Sequence, residues 1–146
     1  MTVMLTDGPA VDSMQEFQGI CRPSRILIID DEPQVREMLV RVLSDAGYVV
    51  LAAADGGEGI KVYEESPTDL VITDLVMPGK DGIETVREMR THFPNAKIIA
   101  ISGDDKGGGQ ATLRIAGLLG ARRTLAKPFR VRDLLDTVRD VLAEGQ

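Results

Sequence analysis

Four short stretches of the chain carry residues able to do chemistry together. "RILIIDDEP" (25–33) sets Asp30 and Asp31, followed by Glu32, at the end of an apolar run. "DLVITD" (69–74) ends in Asp74, "AKIIAIS" (96–102) in Ser102, and "RTLAKP" (123–128) in Lys127 and Pro128. Carboxylates gathered in one cleft raise one another's pKa. A hard divalent cation removes that conflict, and Mg²⁺ keeps several waters, so two or three aspartates suffice to hold it. Lys127 adds a second positive charge and Ser102 a hydroxyl donor. A metal, an ammonium and a hydroxyl around one carboxylate suit phosphoryl transfer, because they neutralise the equatorial oxygens and leave an aspartate as nucleophile. Taken singly, each stretch is ordinary: an aspartate that ends a strand commonly caps a turn. The signal is the set.

The elements that must position these residues alternate along the chain. "RILIID" reads as a continuous apolar strand, and Pro33 suits the first turn of a helix. Val35, Met38, Leu39 and Val42 then recur at helical spacing until Gly47 stops them. "YVVLAA" (48–53) is a second strand, followed by a helix over about 57–65 that ends before Pro67. "DLVITD" is the third strand. "VMPGKDG" breaks the pattern before a helix marked by Ile83, Val86 and Met89. After the fourth strand, "AKIIAIS", comes the loop "GDDKGGG" and a weaker helix with Ala111, Leu113, Ala116 and Leu119. "RTLAK" (123–127) is the fifth strand, and Val131, Leu134, Leu135, Val138 and Leu142 mark the last helix. About five βα units with apolar strands predict an α/β fold, a parallel sheet covered by helices on both faces. Ligands in such sheets bind outside the carboxyl ends of the strands. Those are the ends that carry the four polar groups.

Composition bounds the reading further. The 146 residues suit one domain, and 43% apolar with only 3% aromatic residues implies an aliphatic core. A net charge of −6 argues against broad binding to a nucleic-acid backbone, which needs a basic face. Cys21 is the single cysteine, so no intrachain disulfide framework is expected. The N-terminus has neither a basic start nor an uninterrupted apolar stretch, and no run reaches membrane-spanning length. No membrane association is expected, and the cytoplasm is the expected compartment. Residues 1–24 read as a flexible extension or a short helix, in which Ser13 and Glu16 form a capping box. Residues 25–146 form the domain.

Other candidates carry less. His92, the only histidine, falls at a helix end and has no nucleophile beside it. "GGEG" (56–59) lacks the lysine of a phosphate-binding loop, and Met77 reads as packing. Arg122, Arg123, Arg130 and Arg132 make a locally basic late segment, either a solvated face or a contact for an acidic partner.

"ILIIDDEP", "DLVITDLVMPGKDG", "IIAISG" and "LAKPF", in this order and spacing, resemble the receiver domain of two-component response regulators. The resemblance spans roughly residues 25–143. It implies a five-stranded doubly wound parallel sheet of the flavodoxin-like kind, and an aspartate phosphorylated by a histidine kinase or histidine phosphotransfer protein. By that resemblance Asp74 is the phospho-acceptor. Asp30 and Asp31 hold Mg²⁺, one directly and the other largely through water, and the backbone carbonyl of Val76 completes the protein ligands. Ser102 and Lys127 bind the phosphoryl group, Gly103 leaves room for it, and the peptide bond from Lys127 to Pro128 is cis. Three departures stand out. Thr124 replaces the family's usual aromatic residue, "GDDKGGG" is rich in glycine and acid, and the N-terminal extension is atypical. With no output domain in the sequence, the expectation is a stand-alone switch that acts through protein–protein contact and does not bind nucleic acid directly.

Two other functions compete. An aspartate-based phosphohydrolase would share the chemistry, but such enzymes of the haloacid-dehalogenase type place a second aspartate two residues after the nucleophile. Here Val76 stands two residues after Asp74, and Glu32 two after Asp30. An interaction module that ignores phosphate would not need all five chemical positions filled.

Overall fold

A computed structural model of the chain describes residues 22–75, 82–103, 114 and 116–144. In chain order the elements are β1 (Arg25–Ile29), α1 (Pro33–Asp45), β2 (Val49–Ala53), α2 (Gly56–Glu65), β3 (Leu70–Asp74), α3 (Gly82–His92), β4 (Ile98–Gly103), β5 (Arg123–Lys127) and α4 (Val131–Ala143). Residues 114 and 116–118, also helical, precede β5. The five strands form one sheet in the order β2-β1-β3-β4-β5, and every neighbouring pair is parallel. This is the expected five-stranded doubly wound sheet.

Alternation along the strands explains why both faces are apolar. Leu27 and Ile29 of β1 point to one face, where they join Val71, Ile98 and Ala100 against Tyr63 of α2 and Val86 and Met89 of α3. Ile26 and Ile28 point to the other, with Leu70, Ile72, Ile99 and Ile101, against Leu39 and Leu43 of α1 and Leu134, Val138 and Val141 of α4. A strand buried on both sides is apolar at nearly every position, so β1, β3 and β4 read as near-continuous apolar runs; Thr73 interrupts β3, and its buried hydroxyl donates to the Asp74 carbonyl at 3.1 Å. The edge strands differ. Val49 and Ala52 of β2, and Arg123, Thr124 and Ala126 of β5, are exposed.

Local features set the helix starts and one close approach to the sheet. Pro33 opens α1, whose N-cap Glu32 supplies no side-chain cap. Asp55 caps α2 by accepting a hydrogen bond from the Glu58 N–H at 2.8 Å. The "GGEG" run is explained by packing, because a Cβ on Gly59 would lie 2.3 Å from Ile29 Cδ1. Among the described residues no helix is long and apolar enough to cross a membrane.

Candidate functional site

Register brings the polar strand ends together. Ile29 pairs with Thr73, so the residues that follow, Asp30 and Asp74, stand side by side at the ends of β1 and β3. Asp74 pairs with Ile101, and Ser102 comes next on β4, while Gly103 pairs with Lys127 on β5. The first crossover leaves β1 toward β2, and the chain then returns to β3 on the other side of β1. The cleft therefore opens where the strand order reverses, the expected place for a ligand in an open parallel sheet.

Asp30, Asp31 and Asp74 each present a carboxylate oxygen, and these oxygens lie within 4.8 Å of one another. Asp30 and Asp74 are 2% and 4% exposed, and Asp31 is half-buried. Asp30 is held at three points. Its N–H donates to the Ala53 carbonyl at 3.1 Å, its Oδ1 accepts from the Glu32 N–H at 2.9 Å, and its carbonyl accepts from the Arg36 guanidinium at 2.7 Å. Burial pushes the Asp30 carboxyl up from 3.8 to about 6. The Glu32 N–H opposes that rise, the charge of Asp74 adds to it, Lys127 opposes it and Asp31 adds a little more. A cation among these oxygens relieves both the desolvation and the mutual repulsion. The donor set is all carboxylate oxygen, which suits a hard ion such as Mg²⁺.

Lys127 reaches in from the end of β5. Its Nζ lies 3.3 Å from Asp74 Oδ2 and 3.9 Å from Glu32 Oε1. The Lys127–Pro128 peptide bond is cis. Ser102 is 1% exposed, and its hydroxyl donates to the Gly103 carbonyl at 3.2 Å. A cavity of about 300 Å³ opens beside Lys127, lined by Val35, Met38, Pro128 and Phe129 as well. The structure thus brings Asp30, Asp31, Asp74, Ser102, Gly103 and Lys127 to one end of the sheet. Thr124 is not among them, being exposed on the edge strand, where it pairs with Ala100. Val76, Met77, Cys21, the Ser13–Glu16 cap and residues 104–110 lie outside the described residues. So does most of the N-terminal extension, but Ser24 already joins the fold, its carbonyl accepting the Val49 N–H at 3.0 Å.

Sequence reasoning passed over Gly82 and Arg36. Gly82 opens α3 against the backbone at the end of β3: its N–H donates to the Leu75 carbonyl at 3.1 Å, and a Cβ there would lie 2.3 Å from the Asp74 carbonyl oxygen. The closing glycine of "VMPGKDG" was the available signal. The basic late residues separate into two groups. All four are exposed, but Arg122 and Arg123 both pair with Glu144, at 3.0 and 2.9 Å.

Residues 26–139 match the family model described as the response regulator receiver domain. The chain belongs to that family. The receiver is 38% identical over 121 residues to the response regulator MprA of Mycobacterium sp. (strain KMS), an alignment that covers 82% of this chain and 51% of that protein. It therefore spans about half the length of the curated relatives it matches. Among solved structures it resembles a receiver domain protein from Clostridium thermocellum, with 30% identity and a TM-score of 0.76, covering 82% of this chain and 94% of that one. It also resembles the Vibrio cholerae chemotaxis protein CheY4, with 30% identity and a TM-score of 0.74, covering 82% and 98%.

Proposed function

We propose that this receiver is a Mg²⁺-dependent phosphorylation switch that accepts a phosphoryl group on Asp74 from a histidine kinase or histidine phosphotransfer protein. The observation that carries the reading is the setting of Asp74, a carboxylate 4% exposed, with the oxygens of Asp30 and Asp31 within 4.8 Å and Lys127 Nζ at 3.3 Å. Asp30, Asp31 and Asp74, with the Val76 carbonyl by family resemblance, would hold the metal. When bound, Mg²⁺ supplies positive charge to the oxygens of the transferring phosphoryl group. An Asp74 oxygen forms the new bond to phosphorus while the phosphorus–nitrogen bond of the donor phosphohistidine breaks, and the imidazole leaves with that electron pair. Lys127 then turns from the carboxylate to the phosphoryl oxygens. Ser102 exchanges the Gly103 carbonyl for one of those oxygens, with Gly103 leaving room for the group.

Output follows through protein–protein contact in the cytoplasm. Slow hydrolysis of its own aspartyl phosphate is the only other reaction this reading assigns to the chain. The phosphohydrolase alternative gains no support from Glu32, whose side chain is 62% exposed and turned toward Lys127.

Incubation with acetyl phosphate and Mg²⁺, followed by intact-mass and peptide analysis, tests the proposal. One added phosphoryl group is expected on Asp74, and none in Asp74→Asn. An unmodified mass, under conditions that label a known receiver, would overturn it.

A further inference from the structure

We infer that Arg36 is a positioning residue for the metal-binding carboxylates, an inference that rests on the Mg²⁺ reading above. Asp30 is 2% exposed and held at three points, which fix the turn that carries its carboxylate. Two of its three tethers are backbone N–H or C=O groups of neighbouring segments, Ala53 and Glu32. The third is a side chain. The Arg36 guanidinium, one turn into α1, donates to the Asp30 carbonyl at 2.7 Å. A hydrogen bond from an ionised donor is stronger than a neutral one.

The helix start gives this contact its importance. Glu32 occupies the N-cap of α1 but makes no side-chain cap. What fastens the first turn to the end of β1 is the Glu32 N–H on Asp30 Oδ1 in one direction and Arg36 on the Asp30 carbonyl in the other. Together they enclose residues 30–36 in a clamp on Asp30, with Asp31 inside it, and Arg36 is its only side-chain donor among the described residues. Arg36 meets the backbone carbonyl of Asp30. It acts through Asp30, as outer partners of metal ligands commonly do.

Calorimetric titration of Mg²⁺ into the metal-free protein near neutral pH tests this, at a temperature well below melting, with melting curves of each variant alongside. Arg36→Ala should bind Mg²⁺ roughly 10-fold more weakly, and Arg36→Lys should recover part of that loss. Arg41→Ala, which removes the same charge from an exposed position of α1, should bind as the parent does. Parent-like affinity in Arg36→Ala would overturn the inference while leaving the metal reading intact; so would an equal loss in Arg41→Ala, which would make the effect one of net charge. If Arg36→Ala does not fold, Arg36→Lys decides by itself, with weaker binding supporting the clamp and unchanged binding refuting it. If the parent protein binds no Mg²⁺, the metal reading falls and the inference falls with it.

Discussion

Lys127 Nζ stands 3.3 Å from Asp74 Oδ2, which joins the last residue of one strand to the last residue of another two strands away. The ammonium is the positive group nearest the proposed acceptor among the described ion pairs, and it is shared with the exposed Glu32 at 3.9 Å.

Lys127→Ala should leave Mg²⁺ binding largely intact and uncouple phosphorylation from output. The contact that matters is made with the phosphoryl group, so its loss falls on the active state. A charge-assisted bond of about 1.5–3 kcal/mol shifts a two-state balance roughly tenfold or more. Binding of a phosphorylation-dependent partner, compared between parent and variant after equal labelling, measures it. Normal partner binding by the variant would contradict the role.

The raised pKa of Asp30 makes stability depend on pH in a defined direction. Its folded-state value, about 6, lies above the ordinary 3.8. The native state therefore favours the proton, and this contribution is present at low pH and lost as pH rises through about 6. Near neutral pH and in chelator, Asp30→Asn should raise the melting temperature. The rise from 3.8 to about 6 sets the gain at no more than roughly 3 kcal/mol. That gain should shrink as pH falls below about 6. Mg²⁺ reverses the sign, because it binds the ionised carboxylate and stabilises the native state by mass action. Mg²⁺-dependent stabilisation should accordingly fade on acidification and be weaker in Asp31→Asn. A lower melting temperature for Asp30→Asn in chelator near neutrality would refute the assignment.

Gly82→Ala should destabilise the fold by about 1–3 kcal/mol, the usual cost of forcing atoms into a filled space. The added Cβ would meet Leu75 Cα at 2.2 Å and the Asp74 carbonyl oxygen at 2.3 Å, and backbone cannot swing aside as a side-chain tip does. Slower labelling of Asp74 by acetyl phosphate is expected as well, because the displaced backbone is that of the acceptor. Urea unfolding curves would decide; a change under roughly 0.5 kcal/mol would place this variant with ordinary surface substitutions.

Thr124→Val should be nearly silent. The residue is exposed on the edge strand, and its stability effect is expected within about 0.5 kcal/mol. The change on phosphorylation should instead start at Gly103, whose carbonyl now holds the Ser102 hydroxyl, and run into residues 104–110. Hydrogen exchange with and without a phosphoryl mimic reads this directly. Protection changes confined to β5 would contradict it, and so would loss of output in the valine variant.

How much was legible beforehand follows from what each feature depends on. Strands β1, β3 and β4 were plain because burial on both faces leaves a near-continuous apolar run, and Asp30, Asp74 and Ser102 at or just past their ends stand out against it. The α1 start was plain because Pro33, well tolerated in the first turn of a helix, stands just before a run of apolar residues at helical spacing. These are local properties, written in neighbouring residues.

What the tertiary structure decided is non-local. No periodicity shows that Ile29 pairs with Thr73, yet this pairing is what sets Asp30 beside Asp74. Strand order, which local pattern leaves open, makes β2 and β5 the edges and exposes Thr124. Arg36 looks like any helix-surface arginine until α1 folds back over β1, and Gly82 like any loop glycine until α3 settles on the backbone of Asp74 and Leu75. The sequence by itself determined which groups end the strands and hence the chemistry available to them. Only packing decided which of those groups meet, because distance between residues far apart in the chain depends on how the helices cross the sheet and not on the residues beside them.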